Sequence, residues 1–435
     1  MKNHPKRYAL SVLLFACLLV LPAPQTVAQV DSTDRNMAIG ILEMTKETIK
    51  KNYYDPTYHG VDLDFVFEQA KERMKAAQTR DALMLTIASA VMTLNDSHTT
   101  FIPPVRAAEV EYGWKVGVIG DDCYIMHVKA GSDAEAKGLK PGDRLLGIDG
   151  FRPTRKNRWQ MAYRYFVVAP AARVNMTIQS PGDEKPRTVS VDTKISRTGG
   201  TITLQQWYDR SQIKGHSDKV YEYSRHENGT TFLKLHTFSI TDTQLDTMLG
   251  KVRGSKTLIL DLRANGGGAV DILKKMVGFF FDKEVKIFDE KRRKALKPLV
   301  SKPSSNGFKG ELIVLIDEGS ASASEVFSRL VQLHNRGKVI GDRSMGAVME
   351  SQVHYLDSGI GSMLISAASV TMADLVMSDG KSLEKVGVVP DEVMLPTGAD
   401  LAESKDPVLA HAAKLAGITM TPQDAGKMFP YVWPK

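Results

Sequence analysis

The segment ELIVLIDEGSASASEVFSRLVQLH, residues 311–334, predicts a buried strand, a tight turn and an amphipathic helix in immediate succession. A short aliphatic run bounded by turn residues is typical of a strand covered on both faces. Four apolar residues then recur at the spacing of one helix face: Val326, Phe327, Leu330 and Val331. Between the two elements lie Ser320, Ser322 and Ser324, so the turn presents hydroxyl groups at the start of a helix.

The alternation of strand and helix extends over residues 197–435. The apolar runs TTFLKLHTF and KTLILDLR are each followed by an amphipathic helical pattern, which is typical of an α/β domain with a largely parallel sheet. In such sheets ligands bind at the carboxyl ends of the strands. The glycines of DLRANGGG and the serines of GSASASE both follow strands, so we expect them to face one site.

The residues alone leave two interpretations of Ser322 open. A serine hydroxyl at a helix start commonly caps free N–H groups. The same position suits a nucleophile, because free N–H groups and the helix dipole stabilise an oxyanion. The run from Asn265 to Gly268 likewise predicts either a tight turn or a backbone N–H directed at a substrate.

The first 28 residues have the features of a secretory signal peptide. Three basic residues precede an apolar run from Ala9 to Leu21, and small residues follow up to Ala28. The run is shorter than the ~20 residues that a membrane-spanning helix needs. We therefore expect an exported protein, periplasmic or extracellular, without a stable membrane span.

Composition excludes several kinds of partner and cofactor. The net charge is +7 for the whole chain and falls to +4 without the three basic residues of the signal peptide, which is too small for a nucleic-acid partner. Cys123 would be the lone cysteine after cleavage, so no internal disulfide is expected. The histidines are scattered, with no HExxH motif and no cysteine pairs, and we expect neither a metal nor another cofactor.

Two further regions precede the α/β domain. Residues 29–110 have a helical pattern, with one helix from Met37 to Tyr53 and another in RDALMLTIASAVMTLND. Residues 111–196 alternate apolar and polar positions around glycines, and GLKPGDRLLGIDG resembles a PDZ domain. PDZ domains bind extended peptides as an added strand and capture the terminal carboxylate. The alternative is a module that only packs or gates.

Several segments together resemble a known family. LILDLRANGGG, ELIVLIDEGSASASE, GDRSMG and GKSLEKVGVVPD are similar, in order and spacing, to the catalytic domain of the carboxy-terminal processing and tricorn-core serine peptidases. A helical module ending in LNDSHTTF and a following PDZ domain fit the same family. After the signal peptide (1–28), the resemblance implies a helical module (29–110), a PDZ domain (111–196) and an α/β catalytic domain of the ClpP/crotonase-like kind (197–435).

The resemblance also implies residue roles. The nucleophile falls on Ser322, and the oxyanion donors on the N–H groups of Ala323 and Gly268. One branch of the family activates its serine with a lysine, but Ala347 stands at that position here. The partner of that lysine aligns near Ser351, so this activation system is missing.

The tricorn-like branch instead uses a histidine that follows a serine, and Ser97–His98 in LNDSHTTF matches this pattern. A histidine pKa near ~6.5 suits a general base that returns its proton to the leaving amine. In that branch a glutamate orients the histidine. Glu384 is the best match, and Glu350 is the alternative.

The sequence thus predicts an exported serine endopeptidase that cleaves peptides or unfolded proteins, with a PDZ domain that binds or gates the substrate. Binding through the substrate's carboxyl terminus and homo-oligomer formation are both compatible with the resemblance. The main alternative is a catalytically inactive adaptor that binds peptides, because the family lysine is absent. A carrier of lipophilic ligands is a second alternative, disfavoured by the intact SASASE and Ser-His motifs.

Overall fold

The computed structural model describes residues 30–104, 108–197, 219–293, 298–356 and 366–433. The predicted signal peptide, residues 1–28, lies outside these ranges. Within them, no helix combines the length and the apolar character needed to cross a lipid bilayer. Cys123 is buried as a free thiol.

The helices in chain order are α1 (Ser32–Asn52), α2 (Leu63–Lys75), α3 (Arg80–Met92), α4 (Asp133–Ala136), α5 (Arg158–Tyr163), α6 (Asp242–Val252), α7 (Val270–Phe280), α8 (Ala323–Leu333), α9 (Gly398–Ala402), α10 (Pro407–Leu415) and α11 (Pro422–Gly426). The strands are β1 (Thr100–Ile102), β2 (Ala108–Glu111), β3 (Trp114–Ile119), β4 (Asp122–Val128), β5 (Arg144–Ile148), β6 (Arg173–Gln179), β7 (Arg187–Asp192), β8 (Lys194–Arg197), β9 (Tyr221–Arg225), β10 (Thr230–Leu235), β11 (Thr257–Asp261), β12 (Val285–Lys291), β13 (Leu299–Ser301), β14 (Glu311–Ile316), β15 (Lys338–Gly341), β16 (Met349–Leu356), β17 (Ser366–Val376) and β18 (Glu392–Val393).

Three helices, α1 to α3, form the amino-terminal region, and each starts at a polar cap. The side chains of Asp31, Asp62 and Thr79 accept hydrogen bonds from first-turn N–H groups. Helix α1 begins at Ser32, earlier than the predicted Met37, because Asp31 provides this cap. The two predicted helices are present as α1 and α3, whereas residues 100–102 and 108–110 of the region predicted to be helical form strands.

The helical region shares its core with a second, antiparallel sheet that the sequence did not predict. Strand β17 lies at the centre of this sheet and pairs with β1, β12 and β16. Side chains of α1 and α3 pack with Phe101 of β1 and with Ala368 and Val370 of β17 in one hydrophobic cluster. The segment that joins α3 to β1, residues 93–99, is therefore held against β17.

Residues 108–197, called here the middle module, form an antiparallel five-stranded sheet in the order β3-β4-β5-β6-β7. Trp114, Ile125 and Val174 belong to its own hydrophobic core. The short ribbon of β2 and β8 brings the two ends of the module together. The alternation seen in the sequence is accordingly that of half-buried strands.

The predicted largely parallel sheet is present in the carboxyl-terminal region. Its order is β18-β15-β14-β11-β10-β9, and every neighbouring pair is parallel except β9 with β10. Helices α6, α7 and α8 cover one face and α10 the other. This double cover explains why every residue of β11 is buried.

Candidate active site

Ser322 lies at the carboxyl end of the parallel sheet, between β14 and α8. Its backbone has φ +54° and ψ −116°, a conformation that is unusual for a residue with a side chain. Strained backbone of this kind is concentrated at functional sites. The side chain remains partly exposed although its neighbours Ala321 and Ala323 are buried.

The two flanking serines hold the turn in place. Ser320 is fully buried; its Oγ donates to the carbonyl of Leu262 (2.8 Å) and accepts from the N–H of Asp317 (3.0 Å). Ser324 Oγ donates to the carbonyl of Asn265 (2.9 Å). Ser320 therefore precedes the helix rather than capping it, and both serines attach the turn to the loop after β11.

The glycine loop, Asn265–Gly268, runs beside Ser322. The Asn265 side chain donates to the Leu235 carbonyl (2.8 Å) and accepts from the Gly267 N–H (2.9 Å), which fixes the shape of the loop. A Cβ on Gly267 would lie 2.7 Å from Ser322 Cβ, and its φ is +92°. Only glycine permits this approach in this conformation.

The two predicted oxyanion donors lie in these adjoining segments. A Cβ on Gly268 would collide with the backbone of Phe238 and Ser239, so this residue is also confined to glycine. Within the described ranges, neither the Gly268 N–H nor the Ala323 N–H takes part in a hydrogen bond. Both groups are thus available to a substrate oxygen.

The structure brings Ser97, His98 and Glu384 into one hydrogen-bonded cluster. Ser97 Oγ donates to Glu384 Oε2 (2.8 Å) and lies 2.7 Å from His98 Nδ1. The Ser97 N–H also donates to Glu384 Oε1 (2.9 Å). Glu384 consequently reaches the imidazole through Ser97.

Asp96 fixes the position of this cluster, a role that the sequence analysis missed. Its buried Oδ1 accepts from the N–H groups of His98 (2.9 Å) and Thr99 (2.6 Å) and from Thr371 Oγ1 (2.8 Å) on β17. In the sequence Asp96 is the last residue of RDALMLTIASAVMTLND, the stretch that contains a predicted helix. Nothing there pointed to β17 as the partner.

Burial shifts the pKa values of the cluster in opposite directions. Desolvation lowers the pKa of His98, with Lys385 contributing in the same sense and Asp96 opposing it. Desolvation raises the pKa of Glu384, and the hydrogen bonds from Ser97 and Val348 oppose that rise. Among the described residues His98 Nε2 has no hydrogen-bond partner, Ser322 included, so this nitrogen is open.

A short segment connects the serine turn to the histidine cluster. The Ala347 carbonyl accepts from the Ser322 N–H (3.0 Å), and the Ala347 N–H donates to Glu325 Oε2 (2.9 Å). The next residue, Val348, donates its N–H to Glu384 Oε2 (3.0 Å). Residues 347 and 348 therefore hydrogen-bond to both groups of predicted site residues, to Ser322 in the serine turn and to Glu384 in the histidine cluster.

The alternative glutamate is engaged elsewhere: Glu350 pairs with Arg292 (2.7 Å). Ala347, which the sequence resemblance aligns with the family lysine, is buried, and its methyl group has no atom that could accept a proton. Glu325, the last residue of the SASASE motif, is buried at the centre of the site and was not assigned a role from the sequence.

Comparison with known proteins gives one family. Residues 229–394 match the sequence model described as Peptidase family S41. A carboxyl-terminal-processing protease of Picosynechococcus sp. is 24% identical over 88% of this chain and 88% of its own. A probable CtpA-like serine protease of Staphylococcus haemolyticus is 26% identical over 87% of this chain and 71% of its own.

Solved structures share the fold. Mature CPAF has a TM-score of 0.64 at 15% identity and covers 85% of this chain and 95% of its own. The photosystem II D1 C-terminal processing protease has a TM-score of 0.52 at 19% identity and covers 84% of this chain and 94% of its own. The serine turn and the glycine loop, together with these relatives, indicate a serine-type peptidase, and residues 229–394 carry the similarity to Peptidase family S41.

Proposed function

We propose that this protein is an exported serine endopeptidase in which Ser322 is the nucleophile and His98 is the general base. Glu384 and Ser97 orient His98, and the N–H groups of Ala323 and Gly268 bind the oxyanion. The observation that supports this assignment best is the hydrogen-bonded cluster of Ser97, His98 and Glu384, which is joined to the Ser322 turn through residues 347 and 348.

The direction of the hydrogen bonds assigns the proton on the imidazole. A hydroxyl group has one proton, and the Ser97 Oγ donates it to Glu384. Ser97 Oγ must therefore accept from His98 Nδ1–H, since their separation is 2.7 Å. Neutral His98 then has a lone pair on Nε2, which is the form that a general base needs.

In the acylation step His98 Nε2 takes the hydroxyl proton of Ser322 as Oγ bonds to the carbonyl carbon of the peptide. The carbonyl oxygen becomes an oxyanion between the two backbone N–H donors. Collapse of this intermediate breaks the C–N bond, and the imidazolium returns its proton to the leaving amine. A water molecule, deprotonated by His98, then attacks the acyl-enzyme, and the second product is released.

The pKa of His98 suits this role. Because burial lowers the pKa, the neutral imidazole predominates at neutral pH. The Ser97–Glu384 pair stabilises the imidazolium that forms during the reaction. Loss of the family lysine at position 347 is thereby compensated by a base from the amino-terminal region.

The middle module is proposed to be a PDZ domain that binds the substrate. Strand β3 is at the edge of its sheet, where an extended peptide adds as a further strand. If a terminal carboxylate is captured, a peptide with a free carboxyl end binds more tightly than the same peptide amidated. Equal affinities in a fluorescence polarisation titration would exclude carboxylate capture.

The catalytic assignment is tested with a fluorescently labelled, denatured protein as substrate. The chain from Gln29 should cleave it, and the Ser322→Ala variant should lower the rate by orders of magnitude, because the groups of a triad act as a unit. A fluorophosphonate probe should label the former protein and not the variant. A folded chain that neither cleaves nor is labelled would support the peptide-binding adaptor instead.

A further inference from the structure

We infer that Glu325 is a positioning residue for the proposed reaction: its buried carboxylate holds the segment Ser344–Ala347 against Ser322 and so sets the geometry of the nucleophile and of Glu384. The inference rests on the function proposed above and adds a residue to it. The Glu325 carboxylate accepts from Ser344 Oγ and from three backbone N–H groups, so it acts through the backbone.

Four donors converge on the Glu325 carboxylate. Oε1 accepts from Ser344 Oγ (2.6 Å) and from the Gly346 N–H (2.7 Å). Oε2 accepts from the Ala347 N–H (2.9 Å) and from the Ser322 N–H (3.0 Å). An ionised carboxylate has acceptor sites for all four, whereas an amide of the same shape has acceptor sites at one end only.

The first consequence concerns Ser322. Its N–H is shared between Glu325 Oε2 and the Ala347 carbonyl, both at 3.0 Å. These two acceptors hold the residue at its positive φ, and the chain then turns into α8 with the Ala323 N–H unpaired among the described residues. Glu325 thus stabilises the backbone conformation that presents the Ser322 hydroxyl and the oxyanion donor together.

The second consequence concerns Glu384. Val348, which follows the segment held by Glu325, donates its N–H to Glu384 Oε2. On the other side of Glu384, the Lys385 N–H donates to the Gly346 carbonyl (2.8 Å) and Ser344 Oγ accepts from the Val388 N–H (2.6 Å). The Glu384 carboxylate, which orients His98, is therefore held between two backbone segments, residues 346–348 and 385–388, and the positions of both depend on Glu325.

The burial of the Glu325 carboxylate is energetically unfavourable, which indicates a role beyond packing. Glu325 has no exposed surface, and no cation pairs with it in the described ranges. Burying a charge without a counter-ion is unfavourable unless several donors compensate it. Burial raises the pKa of Glu325 to about 7 against the hydrogen bonds that lower it. The start of α8 adds a favourable dipole.

The substitution Glu325→Gln keeps the shape and removes acceptors. If the amide nitrogen takes the place of Oε1, it faces the N–H of Gly346. If it takes the place of Oε2, it faces the N–H groups of Ala347 and Ser322. In both orientations two donors oppose each other, because a backbone N–H cannot act as an acceptor. Ser328→Ala is the matched control. It removes a buried hydroxyl from the same helix, where Ser328 Oγ donates to the Ser324 carbonyl (2.7 Å), without touching residues 344–347.

The experiment measures kcat, KM and the second-order rate of fluorophosphonate labelling, with active sites titrated by the probe. For Glu325→Gln we expect kcat per titrated site to fall about 10- to 100-fold with KM nearly unchanged, because misplacement of reacting groups costs rates of that size. Labelling should slow in proportion, and Ser328→Ala should match the unsubstituted chain. Circular dichroism checks that each variant is folded.

Two other outcomes are distinguishable. If Glu325→Gln is less stable but keeps the unsubstituted kcat per titrated site and labelling rate, Glu325 has only a structural role and the inference is wrong. If the unsubstituted chain is neither labelled nor active, the proposed function fails and the inference fails with it. Should Glu325→Gln not fold, Ser344→Ala removes one of the four donors and should reduce kcat in the same direction; an unchanged kcat there would overturn the inference.

Discussion

At the scale of single residues, the site is defined by side chains whose polar atoms are almost all engaged in hydrogen bonds within the site. Ser97 joins Glu384 to His98, and Asp96 fixes the backbone of His98 by accepting its N–H. His98 Nε2 and the Ser322 hydroxyl are left for the reaction. The pH dependence of kcat/KM should therefore reflect the protonation of His98.

We expect the acid limb of a kcat/KM profile to have its midpoint below pH 6.5. Burial lowers the pKa of His98 from that ordinary value, so the neutral base persists to lower pH and is lost as the pH falls through the lowered pKa. The profile is measured with a peptide that does not titrate in this range. Fluorophosphonate labelling should follow the same limb. Glu325, whose pKa burial raises to about 7, adds a limb of its own that the Glu325→Gln variant lacks, so a midpoint above 6.5 in that variant would contradict the assignment of His98.

The sequence named most of these residues as candidates but did not predict the contacts between them. Ser322 and His98 stand in recognisable motifs, and Glu384 was preferred to Glu350. The roles of Asp96 and Glu325 could not be predicted, because an acidic residue at a helix end or in a first turn is usually an exposed cap. An exposed carboxylate at such a position caps its own helix, whereas a buried one can bind several segments. Burial depends on which distant segments pack there.

At the scale of elements, the site is built from loops that approach each other more closely than side chains would permit. The glycine loop after β11 lies against the turn after β14, and Gly267 lies directly against Ser322. Parallel pairing of β11 with β14 places both loops at the same edge of the sheet. The glycines of this loop therefore have different tolerances.

Gly267→Ala should lower kcat about 100-fold or more, because the added Cβ would displace Ser322 and an L residue resists a φ of +92°. Gly266→Ala is the control, since a Cβ there meets no atom within 4 Å. It should retain most of the activity. Steady-state kinetics of the two variants at equal concentration of titrated sites compares them, and equal loss in both would refute the steric argument.

Elements differ in how far the sequence predicted them. The strands β11 and β14 and the helices after them follow from long apolar runs and clear helical periodicity. Strand β1 has only three residues, and its pairing with β17 joins positions about 270 apart in the chain. No local pattern encodes such a pairing, so the antiparallel sheet that carries the histidine segment was missed.

At the scale of the whole molecule, the middle module is attached to the carboxyl-terminal region by buried polar contacts. Arg155 pairs with Asp342 and donates to the carbonyl of Arg343 (2.8 Å), while the Gly120 N–H donates to Asp342 Oδ2 (2.9 Å). Both side chains of the Arg155–Asp342 pair are about nine-tenths buried. Removing one partner leaves the other charge buried and unpaired.

Arg155→Ala should lower the free energy of unfolding by about 3 kcal/mol, the order of cost expected for a broken buried ion pair. Chemical denaturation followed by circular dichroism measures it. Arg173→Ala breaks the solvent-exposed pair with Asp192 and should leave the midpoint unchanged within error. Similar midpoints for Arg155→Ala and the unsubstituted chain would show that the module is held by other contacts.

The pairing of β1 with β17 has a consequence for the life of the newly made chain. Ser97 and Glu384, which must meet to prepare the base, are 287 positions apart. A ribosome therefore completes the nucleophile and nearly all of the parallel sheet before the last partner of the histidine exists. Under the proposed mechanism a nascent or partly folded chain lacks the oriented base, so efficient peptide hydrolysis begins only after Glu384 has joined the folded structure.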